Sequence, residues 1–147
     1  MIIINGINGT RQTTQRIKIL EYLKSVKTHP NAEQIYKEIK KELPTISLAT
    51  VYRNLHFLVQ QGQIQKLELN NEFRFDGESC DHVHFFCKNC GQIIDLPLYD
   101  IAKYAMKHLN SSKFKADCVN IIFKGLCKNC IRGGKNDSRS CLYKRKM

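Results

Sequence analysis

No apolar run in this sequence approaches the ~20 residues that a bilayer helix requires, so no membrane partner is expected. The apolar start at Ile2, Ile3 and Ile4 is not followed by the hydrophobic region and small-residue cleavage site of a signal peptide. Acidic residues are scarce, 13 against 24 Lys and Arg. An even cysteine count is also missing. Seven cysteines in a chain without an export signal argue against a disulfide framework and for a reducing compartment. No Ser/His/Asp order stands out for nucleophilic catalysis, so neither an enzyme nor a small-molecule substrate is expected.

What is present amounts to one ordinary domain or two small ones: 147 residues, 42% hydrophobic and 25% charged. The net charge of +11 is uneven. Residues 1–75 carry +5, residues 76–130 only +1, and residues 131–147 another +5. A basic half beside a nearly neutral half rich in cysteine and histidine suggests a polyanion partner on one side.

The first half reads as three helices and a hairpin. Ile17, Leu20, Leu23 and Val26 recur at helical spacing after Thr13-Thr14, which can cap a helix start. Asn31 with Gln34 three positions on forms a capping-box pattern, and Ala32, Ile35, Ile39 and Leu43 supply an apolar face that Pro44 ends. Ser47 caps a third helix with Val51, Leu55 and Leu58 inward and Gly62 as its stop, leaving Thr50, Tyr52, Arg53 and His56 on other faces. Ile64, Leu67 and Leu69, then Asn70-Asn71, then Phe73 and Phe75 predict a β-hairpin turned at asparagine. This order matches a winged helix-turn-helix, whose third helix enters the major groove of double-stranded DNA. There Tyr52 can meet a thymine methyl and Arg53 a guanine edge or phosphate. The alternative for the same elements is a three-helix bundle on which Tyr52 and Arg53 are plain surface residues.

The second half is organised around cysteine. Cys87-Lys88-Asn89-Cys90 and Cys127-Lys128-Asn129-Cys130 are near-identical Cys-x-x-Cys turns. One such pair alone would suit redox chemistry; two suit four thiolates on a structural zinc ion. A helix is expected from about Asp100 to Leu109, and a strand at Val119, Ile121, Ile122 and Phe123. Asp76, Asp81, His82 and His84 cluster upstream, with Asp95 beyond the first pair. On a strand His82 and His84 share a face, and such donors suit iron, manganese or zinc, or are surface residues. His29, taken alone, reads as a helix-end histidine. Cys80 and Cys118 read as small hydrophobes.

Five stretches in order resemble the ferric uptake regulator family of metal-dependent bacterial repressors. They are Arg11-x-Thr13-x-Gln15-Arg16, His29-Pro30-x-Ala32, Ser47-x-Ala49-Thr50-Val51-Tyr52-Arg53-Asn54-Leu55, His82-x-His84-x-x-Cys87-x-x-Cys90-Gly91 and Cys127-x-x-Cys130. The resemblance implies an α+β fold with an N-terminal winged helix-turn-helix domain and a small α/β dimerisation domain carrying structural zinc. The expected boundaries are 1–75 for the first, 76–79 for a hinge, 80–130 for the second and 131–147 for a basic, disordered tail. It also implies a cytoplasmic homodimer that represses transcription at pseudo-palindromic, AT-rich operators.

Carried over by position, the resemblance assigns structural Zn2+ to Cys87, Cys90, Cys127 and Cys130. It assigns a regulatory Fe2+ or Mn2+ to His29, Asp76, His82, His84 and Asp95. DNA contacts fall on Arg11, Thr50, Tyr52 and Arg53. Aspartate at position 95 and the run Arg74-Phe75-Asp76 resemble the peroxide-responsive subgroup, in which iron drives oxidation of a ligating histidine, here His29 or His82. Arg53 resembles instead the recognition helix of iron-uptake members, so iron-uptake, zinc or manganese regulation is the alternative. Val119 stands where some iron-uptake members place a histidine of a third metal site, so that site is not expected.

Overall fold

The structure is a computed structural model that describes residues 13–78, 82–109 and 113–132. Its mixture of helices and strands makes it an α+β protein, and the chain divides into two compact units, Met1–Ser79 and Cys80–Met147.

In the first unit, helices α1 (Thr14–Ser25), α2 (Ala32–Glu42) and α3 (Leu48–Gln60) precede strands β1 (Gln65–Leu69) and β2 (Glu72–Asp76). Each helix starts where a side chain takes an orphan backbone N–H. Thr13 accepts from Arg16, Asn31 from Gln34 and Ser47 from Thr50, and Gln34 completes the capping box by accepting from the Asn31 backbone. The hairpin turns at Asn70 and Asn71, both with positive φ (51° and 60°), as a two-residue turn of the right twist requires. The three helices enclose Ile19, Leu23, Ile35, Ile39, Val51, Leu55 and Leu58, with Ile64 and Phe75 added from the hairpin. Burying each such side chain stabilises the fold by about 1.5–3 kcal/mol. Two apolar expectations are corrected. Ile17 is 38% exposed while Ile19 is fully buried, because Ile19 and Leu23, four apart, lie on the stripe of α1 that faces the core. Phe73, beside the hairpin turn, is exposed with the Lys66 ammonium 4.1 Å from its ring centre.

The exit from β2 comes very close to α1. A Cβ at Gly77 would lie 2.5 Å from the backbone carbon of Leu23 and 2.6 Å from the Lys24 nitrogen, so no side chain fits there.

In the second unit, β3 (Val83–Cys87) is the central strand of a three-stranded sheet. It pairs antiparallel with β4 (Ile93–Leu96), His84 opposite Asp95, and parallel with β5 (Ile121–Gly125). Helix α4 (Tyr99–Leu109) lies between β4 and β5 in sequence, which supplies the crossover that a parallel pair needs. A short helix α5 (Lys128–Arg132) follows and takes in Ile131 and Arg132, the first residues of the expected tail; the rest of that segment lies outside the described residues. Among the described residues, Phe85, Cys90, Ile94 and Cys130 pack against the buried pair Cys87 and Cys127.

Candidate metal centres and recognition helix

The four cysteines of the paired turns converge. Their sulfurs all lie within 4.8 Å of one another, and Cys90 Sγ stands 3.9 Å from Cys127 Sγ. Four sulfurs around a tetrahedral ion with bonds near ~2.3 Å would sit about 3.8 Å apart, so the spacing fits a closed thiolate site. The local fold produces it in two steps. Cys87 ends β3, and the Gly91 N–H donates to the Cys87 carbonyl at 2.9 Å, with Gly91 at φ 70°, a conformation that favours glycine. The parallel β3–β5 pairing then brings in the second turn, where the Cys127 N–H donates to Cys87 Sγ at 3.3 Å and Asn89 Nδ2 donates to Cys130 Sγ at 3.3 Å. Burial pushes the Cys87 thiol up, but hydrogen bonds from the backbone at Cys90, Cys127 and Asn89 outweigh it, bringing the pKa from 9.0 down to about 6. A sulfur held this way is readily ionised, as a metal ligand must be.

The same unit gathers His82, His84 and Asp95. Asp95 Oδ1 lies 3.6 Å from His84 Nε2 and 3.8 Å from His82 Nε2, and the two rings stand edge to face, 4.3 Å between centres. Both histidines are buried, His84 completely. The β3–β4 register explains the His84–Asp95 pair, since directly opposite residues point to one face. His82 lies just before β3, yet its ring still meets the same carboxylate.

The first unit holds a second pair. His29 Nε2 lies 3.3 Å from Asp76 Oδ2, with the histidine 1% and the aspartate 5% exposed. The other oxygen of Asp76 accepts the Glu78 N–H at 2.9 Å, which fixes the carboxylate plane. His29 has φ 48°, a left-handed conformation that costs a non-glycine residue about 1–3 kcal/mol. It also precedes Pro30, where extended backbone is favoured. Reading His29 as an ordinary helix-end residue does not account for that strain.

On α3, Tyr52 and Arg53 are exposed, and Thr50 Oγ1 accepts from Arg53 Nη2 at 3.1 Å. Sequence reasoning missed the support beneath them. Arg16 of α1 lies with its guanidinium carbon 3.8 Å from the Phe57 ring centre, and its Nε donates to Asn54 Oδ1 at 3.1 Å. Asn54 Nδ2 in turn donates to the Thr50 carbonyl at 2.9 Å. The four-residue step from Thr50 to Asn54 is the signal that was available. Arg11 lies outside the described residues.

Residues 7–124 match the ferric uptake regulator family. This chain belongs to that family. It is 37% identical over 127 residues to the peroxide operon regulator of Bacillus subtilis (strain 168), covering 84% of this chain and 86% of that one. Among solved structures, it is similar to the Campylobacter jejuni peroxide stress regulator, with TM-score 0.67 and 35% identity over 79% of this chain and 88% of that one. The Helicobacter pylori ferric uptake regulator, described as having three functional metal binding sites, matches with TM-score 0.68 and 25% identity, covering 87% of each chain. Cys118 departs from expectation: it is exposed, not buried as a small hydrophobe. Cys80, Asp81 and Cys141 lie outside the described residues. Among the described residues, no helix is long and apolar enough to cross a membrane.

Proposed function

We propose that this protein is a metal-dependent, DNA-binding transcriptional repressor of the peroxide-responsive kind, acting in the cytoplasm as a homodimer. The observation that carries the reading is the pairing of buried histidine with aspartate in each unit, His29 with Asp76 and His84 with Asp95. Imidazole and carboxylate donors suit a divalent iron or manganese ion. The four-cysteine cluster suits structural Zn2+, with no open position for chemistry, which argues for a regulator and against an enzyme.

On this reading the first unit is a winged helix. Helix α3 offers Thr50, Tyr52 and Arg53, with Arg11, to a pseudo-palindromic, AT-rich operator. Exposed Tyr99, Ile101, Tyr104, Phe123 and Ile131 in the second unit support an apolar surface for a second copy. The residues proposed for the regulatory ion are His29, Asp76, His82, His84 and Asp95. The ion shifts the population only by its greater affinity for the DNA-binding form. When bound, ferrous iron supplies the redox chemistry that activates peroxide. His29 or His82 would take up one oxygen atom of hydrogen peroxide, the other leaving as water, and would then coordinate less well, so that the protein leaves its operator.

The test is operator binding by the zinc-loaded protein with Mn2+ or with Fe2+, before and after peroxide. The Mn2+ form keeps its DNA; the Fe2+ form loses it, with an added oxygen on the peptide containing His29 or His82. Arg53 and the likeness to the H. pylori protein favour a second reading, an iron-uptake regulator. An Fe2+ form that keeps its operator through peroxide exposure selects it.

A further inference from the structure

Strand β2 is fastened along the 29–31 turn by more than the His29–Asp76 pair. Glu72, Arg74 and Asp76 alternate along β2, so they share one face. Arg74 Nη1 donates to the His29 carbonyl at 3.4 Å. Arg74 Nε donates to Glu72 Oε2 at 2.9 Å, and Nη2 lies 2.8 Å from the same oxygen. Glu72 Oε1 accepts from Asn31 Nδ2 at 2.5 Å, and Asn31 also caps α2. Between these contacts, the Phe75 N–H donates to the Pro30 carbonyl at 3.0 Å. The Asn31 hydrogen bond, against a burial cost and helped by Arg74, holds the Glu72 carboxyl below its ordinary range.

The turn so gripped contains the most strained of the candidate ligands, left-handed before a proline. A His29 free to relax would rotate toward extended backbone and swing its imidazole away from Asp76. Arg74 is a side-chain donor on the His29 carbonyl, and Glu72 fixes the guanidinium in the plane that reaches it.

We propose that Arg74, oriented by Glu72, is a positioning residue that holds His29 in its metal-ready conformation and thereby sets the affinity of the regulatory site. This rests on the proposed regulatory metal at His29. Arg74 touches no metal; it acts through the backbone of a ligand. Supporting hydrogen bonds to metal ligands are worth about 10–100-fold in metal affinity, which gives the size of the effect expected here.

The experiment measures Mn2+ affinity of the full-length, zinc-loaded protein by calorimetry for wild type, His29→Ala, Arg74→Gln, Arg74→Lys and Glu72→Gln. Arg74→Gln is expected to bind Mn2+ about 10–100-fold more weakly, while zinc content and dimer mass stay unchanged. Arg74→Lys, which keeps a cationic donor, recovers part of the loss, and a purely structural role would show no such ordered rescue. Wild-type affinity in Arg74→Gln, alongside a large loss in His29→Ala, overturns the positioning role and leaves the regulatory site intact. Wild type and His29→Ala binding Mn2+ alike, or neither binding it, overturns both. Should Arg74→Gln fail to fold, Glu72→Gln decides: weaker Mn2+ binding supports the proposal and unchanged binding overturns it.

Discussion

His29, in the turn before α2, and Asp76, at the end of β2, have side chains that meet at 3.3 Å in a nearly dry setting. A buried imidazole beside a buried carboxylate is costly unless something shares the charge, and a divalent cation does so directly. Replacing Asp76 by Asn keeps the shape and removes the charge. Mn2+ affinity should then fall by more than the about 10–100-fold attached to supporting residues, with zinc retained. Metal analysis after dialysis against graded Mn2+ reads the result; an unchanged Mn2+ content refutes the role of Asp76.

The cysteine cluster should behave in the opposite way. Cys127→Ser removes one of the four clustered sulfurs, at a residue whose backbone N–H donates to Cys87 Sγ. Structural zinc contributes on the order of 10 kcal/mol in small metal-dependent domains. The variant is therefore expected to lose zinc, the dimer and the second unit's fold together, seen by metal analysis, light scattering and circular dichroism. A folded dimer with full zinc content would contradict this.

The depressed pKa of Cys87 gives a pH signature in protein freshly stripped of zinc and sampled before its second unit unfolds. Its folded value, about 6, lies below the ordinary 9.0. Stability from this thiolate is fully present above the ordinary value and is lost as pH falls through about 6. Alkylation of Cys87 by iodoacetamide, followed by mass spectrometry, should rise with a midpoint near pH 6 and be suppressed by zinc. A midpoint in the ordinary thiol range would remove the role given to the backbone donors.

On the recognition helix, Tyr52→Ala should cost operator discrimination of about 1–3 kcal/mol while leaving both metals in place. Asn54→Ala tests the support instead. It leaves the Arg16 Nε without its 3.1 Å acceptor and frees the Thr50 carbonyl, so binding should weaken although Asn54 is buried. Gel-shift titrations on one operator and on a scrambled duplex separate lost specificity from lost charge attraction.

Local signals carried far in this chain. The caps at Thr13, Asn31 and Ser47, the Asn70-Asn71 turn and the two Cys-x-x-Cys turns each depend on neighbours a few residues away, and all form as read. The choice between Ile17 and Ile19 was not legible, because it depends on which side of α1 the other helices cover. The grip of Arg74 on the His29 carbonyl was hidden for a related reason. It joins positions 45 apart through a backbone acceptor, and nothing in a residue's identity says that its carbonyl needs a partner.

Gly77 adds a consequence for which substitutions this chain can accept. Most positions near a metal ligand allow some exchange, because a neighbouring side chain can swing aside. At Gly77 the obstacle is the main chain of Leu23 and Lys24, at the end of a helix that cannot yield without losing its own hydrogen bonds. Even alanine would push Asp76, the residue before it, out of step with the helix end. The carboxylate's address is thus written by an absence: one hydrogen atom in place of a methyl group lets two backbones touch.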